Sequence, residues 1–177
     1  MLDARAPDWV RRIRIAACET GLRPGDLCRL SWQHVEDTPK GRRIRLRTSK
    51  RKGLALIPVT PAMAAILDAT PRDRLLILVS DRGKPLTPHR ASEGLRQWRD
   101  KAGLTPDALG YDLWLQDCRG TAATRLLNAD LSLREIAMHM GCSLRHAAAV
   151  IETYAKASPD ASDRILIKLT LAKGGAS

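Results

Sequence analysis

The densest cluster of side chains able to do chemistry is a run of cationic residues between positions 40 and 52. The run contains no acidic residue, and its basic members are Lys40, Arg42, Arg43, Arg45, Arg47, Lys50, Arg51 and Lys52. Guanidinium and ammonium groups bind phosphate oxygens through charge-assisted hydrogen bonds. The alternative is a solvated strand face, but surface charge that serves only solubility is normally mixed in sign. We therefore predict that this segment contacts phosphate groups.

The same segment has the residue alternation of a β-hairpin. Ile44, Leu46 and Thr48 alternate with arginines at 43, 45 and 47, and a period of two is typical of a half-buried strand. Residues 50–53 indicate a turn, and residues 54–59 indicate the returning strand, which prolines close.

Helical patterns account for most of the remaining chain. The sequence predicts helices over residues 8–18, 24–32, 61–69, 87–102, 112–128, 132–141, 144–157 and 161–172, a short buried strand over 75–79 and a loop over 105–111. Trp9 and Ile13 share the buried face of the first helix, and Ser132 with Glu135 forms the pattern of a capping box. The predicted fold class is mainly α (α+β), with one small antiparallel sheet near the N-terminus.

Charge and length restrict the class of partner. The chain of 177 residues is long enough for one domain with a buried core, and its formal charge is +11. The first 60 residues hold 14 basic and 6 acidic side chains, so most of the excess lies there. Such a charge favours a polyanion as the partner, either nucleic acid or an anionic membrane surface.

Other features of the composition exclude several classes. No apolar run reaches the roughly 18 residues of a membrane span, and the first ten residues lack the apolar core of a secretory signal. Only 4 Trp, 2 Tyr and no Phe are present, which argues against modules that stack bases on aromatic rings. Four cysteines without a CxxC pair are typical of reduced thiols in a cytosolic protein.

Five short motifs follow one another along the chain. They are Thr20-Gly21-Leu22-Arg23-Pro24-Gly25-Asp26-Leu27, Thr48-Ser49-Lys50, Gln116-Asp117-Cys118-Arg119, Met140-Gly141-Cys142-Ser143, and Tyr154 on the next helix. In this order the chain resembles the tyrosine recombinases, the phage integrase family, with their arginine box, lysine hairpin, His-x-x-Arg box, Gly-His or Gly-Trp box and nucleophile. The resemblance covers residues 21–154 and implies the helical catalytic domain of that family.

The resemblance implies a site that cuts and rejoins duplex DNA through a 3′-phosphotyrosyl intermediate, in site-specific recombination or integration of a mobile element. Tyr154 is the expected nucleophile. Arg23 and Arg119 are expected to clamp the phosphate, since a guanidinium stays charged and offers parallel donors to two oxygens. Lys50 is the expected general acid for the 5′-oxygen. Further DNA contacts are expected from Arg43, Arg45, Arg47, Arg51 and Lys52; no metal or cofactor is implied.

Two positions depart from the family pattern. Gln116 stands where a histidine is usual, and an amide can donate a hydrogen bond to phosphate but cannot shuttle a proton. Losing such a role typically costs about 10²–10⁴ in rate. Cys142 replaces the usual histidine or tryptophan with a smaller, weaker donor, and His146, one turn further on, is a candidate replacement. Full and attenuated activity both remain open at this point.

Domain organisation follows from the same resemblance. We expect residues 1–177 to form a single catalytic domain without the family's DNA-clamping domain, because only about 20 residues precede Arg23. Residues 159–177 are predicted to form a C-terminal tail helix. In the family this tail docks on a neighbouring subunit, which implies a monomer in isolation and a tetramer on DNA. A cytoplasmic, bacterial or phage-encoded protein without membrane contact is expected.

The main alternative is a DNA-binding protein without catalytic activity. The segment 132–144 resembles a helix-turn-helix, as in a repressor or a degenerate integrase. Arg23, Lys50 and Arg119 discriminate between the two classes, because a repressor does not need that set.

Two further classes are weaker. His139, Cys142 and His146, with Cys118 elsewhere, offer soft metal ligands, but no second CxxC or HxxxH fixes their spacing. A membrane-surface role is disfavoured because the charge lies on a strand rather than on an amphipathic helix.

Overall fold

The computed structural model describes residues 5–50 and 52–154. Its helices are α1 (Asp8–Thr20), α2 (Pro24–Leu27), α3 (Pro61–Asp68), α4 (Pro88–Lys101), α5 (Pro106–Leu109), α6 (Cys118–Asn128), α7 (Leu133–His139) and α8 (Leu144–Tyr154). Its strands are β1 (Val35–Thr38), β2 (Gly41–Arg47) and β3 (Leu54–Pro58), and single 3-10 turns lie at Trp32–His34 and Leu115–Asp117. The predicted fold class, mainly helical with a small antiparallel sheet, is confirmed.

The sheet has the order β1-β2-β3 with antiparallel neighbours. Ile44 and Leu46 are buried on one face, beside Ala55 and Ile57 of β3, while the arginines point to the other face. The basic hairpin predicted from the period of two is therefore present. Strand β1 was not predicted, because its sequence Val-Glu-Asp-Thr holds one apolar residue and it is ordered by pairing with β2.

Two apolar clusters form the interior. The larger one joins α1, α3, α4 and the sheet, and includes Trp9 and Ile13 as predicted. The smaller one joins α6, α7 and α8 around Ile136 and Met140. Helix α6 packs against both α1 and α8, so it connects the two clusters. None of the described helices combines the length and apolar character needed to cross a bilayer.

Two predicted helices are shorter than expected. The helix expected over 24–32 ends at Leu27. The helix expected over 112–128 begins only at Cys118, because the extended backbone of Trp114 and a 3-10 turn precede it.

Two further predictions, one of a loop and one of a strand, were also wrong. The loop expected over 105–111 contains α5, since Thr105 caps the helix and Pro106 occupies its first position. The strand expected over 75–79 forms only isolated bridges at Leu76 and Val79. Residues 155–157 of the predicted last-but-one helix and the tail at 159–177 lie outside the described residues.

Gly94 is the point at which α4 approaches α1 most closely. A Cβ atom at Gly94 would lie 2.2 Å from Cη2 of Trp9, so Gly94→Ala overpacks the core. We expect the free energy of unfolding to fall by about 1–2 kcal/mol, because overpacking costs roughly 1–3 kcal/mol and replacing a helical glycine returns about 0.5–1 kcal/mol.

Denaturant unfolding measures this change. The control is Gln97→Ala on the exposed face of the same helix, with an expected change below about 0.5 kcal/mol. An unaltered midpoint for Gly94→Ala would contradict the packing of Trp9 described above.

Candidate active site

A cleft of about 160 Å³ brings together side chains from distant segments of the chain. Its lining residues are Arg23, Lys50, Gln116, Arg119, His146, Val150 and Tyr154. Five of the six residues predicted as catalytic therefore lie in one place. Cys142 is not among the lining residues, but its side chain forms a hydrogen bond with Arg119 from the turn between α7 and α8, where its backbone N–H donates to the carbonyl of Ala137 at 3.0 Å.

Arg119 is the most deeply buried charge of the cleft. Its side chain donates to the carbonyl of Gly21 and, at 3.4 Å from Nη2, to the carbonyl of Met140. Burial, and after it the neighbouring charge of Arg23, lowers the pKa of Arg119 to about 10. The guanidinium therefore stays protonated at neutral pH, and an anion in the cleft would offset both effects.

Arg23 precedes α2, where Pro24 starts the helix and Gly21, with φ 62°, ends α1. Its Nη2 donates to Nε2 of His146 at 2.9 Å, so that imidazole nitrogen is unprotonated in this arrangement. Among the described residues, Nη1 of Arg23 and Nε of Arg119 are buried without a hydrogen-bond partner. Two N–H donors of the arginine pair are thus left for an acceptor from outside the chain.

The resemblance implies a histidine or tryptophan at position 142, and the cleft instead contains His146. His146 lies four residues after Cys142, on the first turn of α8, and its imidazole contacts Arg23. The sequence identified it only as a candidate replacement. The signal that supports it is a histidine close to Cys142 in the sequence, at the start of the next helix.

Asp26 links the arginine box to the lysine hairpin. Its carboxylate is fully buried, and Oδ1 accepts from the backbone N–H of Ser49 at 2.8 Å and from Arg29 at 3.0 Å. Ser49 immediately precedes Lys50, so this bond fixes the loop that carries the lysine. Sequence reasoning missed Asp26; its signal was an acidic residue three positions after Arg23 inside the arginine box.

Two glycines allow the hairpin to dock on the turn between α7 and α8. A Cβ at Gly53 would lie 2.6 Å from the carbonyl oxygen of Gly141. Gly141 itself has φ 58°, and its Cβ would lie 2.7 Å from Cγ2 of Thr48. Thr48 also donates to the Gly141 carbonyl at 3.3 Å. This close approach brings Lys50 to the edge of the cleft.

Tyr154 rests on the first turn of α6. A Cβ at Gly120 would lie 2.3 Å from Cγ of the tyrosine ring, so only glycine leaves room for the ring. The phenol donates to Oδ1 of Asp117 at 2.7 Å. This bond, with burial as the smaller cause, raises the pKa of Tyr154 to about 12. Asp117 and Gly120 were not predicted as site residues, although both flank Arg119 in its motif.

The basic strand face is less uniformly cationic than the sequence predicts. Arg43 and Arg45 form ion pairs with Glu36 of β1 at 2.7 and 3.4 Å. Arg47 donates to the carbonyl of Lys52 at 3.1 Å. The acid missing from the run itself is thus supplied by the neighbouring strand. Lys50 and Lys52 are exposed, and Arg51 lies outside the described residues.

The histidines do not form a metal site. His139 is buried with Nε2 3.2 Å from the carbonyl of Glu19, whereas His146 contacts Arg23. Over residues 5–50 and 52–154, no group of three His, Cys, Asp or Glu side chains is arranged to hold a metal ion. The metal-site alternative has no support in this geometry.

Comparison with known proteins gives consistent matches in sequence. The model of the phage integrase family matches residues 9–159. The integrase of Escherichia phage HK022 is 30% identical over 111 residues, which cover 57% of this chain and 30% of that protein. The chain therefore spans less than a third of the length of this curated relative.

Solved structures share the fold. A lambda integrase dimer bound to a COC′ core site matches with a TM-score of 0.70 and 20% identity, covering 89% of this chain and 46% of that one. The lambda integrase catalytic core matches with a TM-score of 0.65 and 24% identity, covering 78% and 83%. The Tn1549 transposon integrase in complex with transposon right end DNA matches with a TM-score of 0.62 and 20% identity, covering 90% and 58%. Because the family model spans most of the chain and the fold is that of the integrase catalytic core, the protein belongs to the phage integrase family.

Proposed function

We propose that the protein is the catalytic domain of a site-specific DNA recombinase that cuts and rejoins duplex DNA through a 3′-phosphotyrosyl intermediate. The observation that carries the proposal is the convergence of Arg23, Arg119, Lys50 and Tyr154 on one cleft. Arg23 directly precedes α2, Arg119 lies on α6, Lys50 on the hairpin loop and Tyr154 on α8. Their types supply a phosphate clamp, a proton donor and a nucleophile.

The two arginines provide the electrostatic part of the mechanism. Nη1 of Arg23 and Nε of Arg119 are buried donors without partners among the described residues, and a nonbridging phosphate oxygen is a suitable acceptor. Charge gathers on these oxygens as the pentavalent transition state forms, so fixed donors stabilise that state more than the substrate.

The chemical step then requires a nucleophile and a proton for the leaving group. The phenol oxygen of Tyr154 attacks phosphorus, and the bond between phosphorus and the 5′-oxygen breaks. Lys50 donates a proton to the departing 5′-oxygen. The phosphotyrosyl bond retains the energy of the broken phosphodiester, so the free 5′-hydroxyl can attack it and rejoin the strand without ATP.

Gln116 and His146 complete the proposed cleft. The Gln116 amide donates a hydrogen bond to a phosphate oxygen. His146 positions Arg23 and replaces the histidine or tryptophan that the family pattern has at position 142. An amide at position 116 cannot transfer a proton, which supports attenuated rather than full activity.

The proposed DNA contacts extend along the hairpin. They are Arg43, Arg45, Arg47, Arg51 and Lys52. The pairs with Glu36 are partly exposed, and such pairs contribute only about 0–1 kcal/mol. Phosphate groups can therefore replace Glu36 as partners, with release of counterions from the DNA.

We further propose that the free protein is a cytoplasmic monomer and assembles as a tetramer on DNA through residues 159–177. A lambda integrase tetramer bound to a Holliday junction has the same fold, with a TM-score of 0.64. On this proposal, light scattering gives the mass of one chain without DNA. A dimer or larger species in free solution would contradict it.

A nicked suicide substrate tests the reaction. Duplexes of randomised sequence are first selected for binding to the full chain. The selected duplexes are then nicked, one position at a time, and incubated with the protein, and denaturing gels show whether a covalent protein–DNA adduct forms. We expect an adduct with the unaltered protein and none with Tyr154→Phe, because only the phenol oxygen can bond phosphorus.

The matched control is Tyr111→Phe. Tyr111 is the other tyrosine and is 58% exposed outside the cleft, so its variant should form adduct normally. Binding without any adduct from the unaltered protein would favour the non-catalytic DNA-binding alternative.

Gln116→His tests the attenuation. An imidazole at this position can exchange a proton near neutral pH, so we expect adduct formation to become about 10²-fold faster, the lower end of the usual range for general acid–base catalysis. Gln116→Asn keeps an amide and serves as the control. A rate for Gln116→His no higher than that of the unaltered protein would contradict attenuation at this position.

A further inference from the structure

The proposed reaction leaves one proton without an acceptor, the phenolic proton of the nucleophile. When the phenol oxygen of Tyr154 bonds phosphorus, its proton must leave. The Gln116 amide cannot accept it. Nε2 of His146 already accepts from Arg23, and Arg23, Arg119 and Lys50 are cations with no proton-accepting site in their charged forms.

We propose that Asp117 is the base that holds Tyr154 and receives its phenolic proton as the bond to phosphorus forms. The inference rests on the proposed function and adds a residue to it. Asp117 contacts the reacting oxygen itself, since Oδ1 lies 2.7 Å from the phenol oxygen. This separation is within the range required of a general base.

The carboxylate is held in place from its other side. Oδ2 of Asp117 accepts from the backbone N–H of Trp114 at 2.7 Å, across the 3-10 turn that precedes α6. One oxygen is therefore fixed by the backbone, and the other is directed at Tyr154. This turn is also the reason that α6 begins later than its sequence predicts.

The tyrosine ring is fixed by a second, independent contact. Gly120 lies on the first turn of α6, three residues after Asp117, and the ring packs directly on its Cα. The two contacts together orient the phenol within its own cleft. Neither a larger residue at 120 nor a shorter one at 117 would keep this arrangement.

The proton count of the step balances. One O–P bond forms at Tyr154 and one P–O bond breaks at the 5′-oxygen. The phenolic proton passes to Asp117, and Lys50 supplies a different proton to the 5′-oxygen. In the rejoining step Lys50 takes a proton from the 5′-hydroxyl and Asp117 returns its proton to the tyrosine, so the site is restored.

The resting state agrees with this role. A carboxylate is a far weaker base than a phenolate, so the proton stays on Tyr154 until the developing O–P bond removes charge from the phenol oxygen. The adjacent negative charge keeps the free tyrosine protonated and unreactive, consistent with its raised pKa of about 12. The titratable groups around the pair are Arg23 just before α2, Lys50 of the hairpin, Cys118 and Arg119 of α6, and His146 of α8.

A titration of the phenol tests the contact without DNA. In a Tyr111→Phe background Tyr154 is the single tyrosine of the chain, and phenolate absorbance reports its ionisation. We expect Asp117→Asn to lower the pKa of Tyr154 from about 12 towards the ordinary value of about 10. The control is Asp107→Asn, an exposed carboxylate on α5, which should leave the titration unchanged.

The pH dependence of adduct formation tests the proton transfer. At neutral pH we expect Asp117→Asn to form adduct about 10²-fold or more slowly, with DNA affinity no weaker than before. Because only preformed phenolate then reacts, its rate should rise about tenfold per pH unit below the pKa of Tyr154. The unaltered protein should show little dependence from about pH 6 to pH 9, because the proton leaves as the bond to phosphorus forms and no preformed phenolate is needed. Gly120→Ala, which displaces the ring, should lower both the pKa of Tyr154 and the rate while Asp117 remains.

Each other result overturns the proposal. An unchanged phenol pKa in Asp117→Asn would exclude the contact. A lowered pKa with adduct formation as fast as, or faster than, that of the unaltered protein would show that Asp117 only restrains the tyrosine. Absence of adduct from the unaltered protein would overturn the proposed function and the base with it, whereas the titration would still report the contact.

Discussion

A buried guanidinium group connects the two halves of the cleft. Arg119 donates to the carbonyl of Gly21, at the end of α1, and to that of Met140, at the end of α7. A charge taken out of water costs several kcal/mol unless it is paired, and Arg119 has two neutral carbonyls and the Cys142 side chain as hydrogen-bond partners, with the Asp26 carboxylate nearby. With Arg23 nearby, the cleft holds two positive charges at close range. An anion that enters it relieves desolvation and repulsion together, so phosphate binding should also stabilise the fold.

Much of the fold could be predicted from local signals. Helices α1, α4 and α7 carry their apolar period and their caps within their own sequence, and the hairpin carries its alternation. Strand β1 and the start of α6 are decided elsewhere. The former is polar and exists because β2 lies beside it. The latter is set by the bond from Trp114 to Asp117, which no periodicity describes.

In the candidate site, too, residues in local motifs could be predicted and residues that act through distant contacts could not. Motif order located the residues that we propose take part in the reaction, and five of the six line one cleft. The residues that position them could not be found, because their partners are distant in sequence: Asp26 acts on Ser49, and Asp117 on Tyr154. Likewise, the neutralisation of the basic strand by Glu36 depends on a strand pairing that was not predicted. The side chain types were visible from the sequence, but the cross-chain contacts were not.

The close packing of Gly53 on Gly141 restricts substitution at position 141 more than at position 142, although both positions belong to one motif. Position 141 has a left-handed backbone and faces Thr48 and Ala55 at distances too short for a side chain, so the lysine loop and the helix turn share one steric limit. Position 142, next to it, reaches the cleft only through its side chain, which contacts Arg119. A cysteine there alters neither the backbone nor the seat of the hairpin. The side chain at position 142 can therefore differ from the family pattern while the backbone at position 141 stays fixed, and the packing of the hairpin on the helix turn is kept.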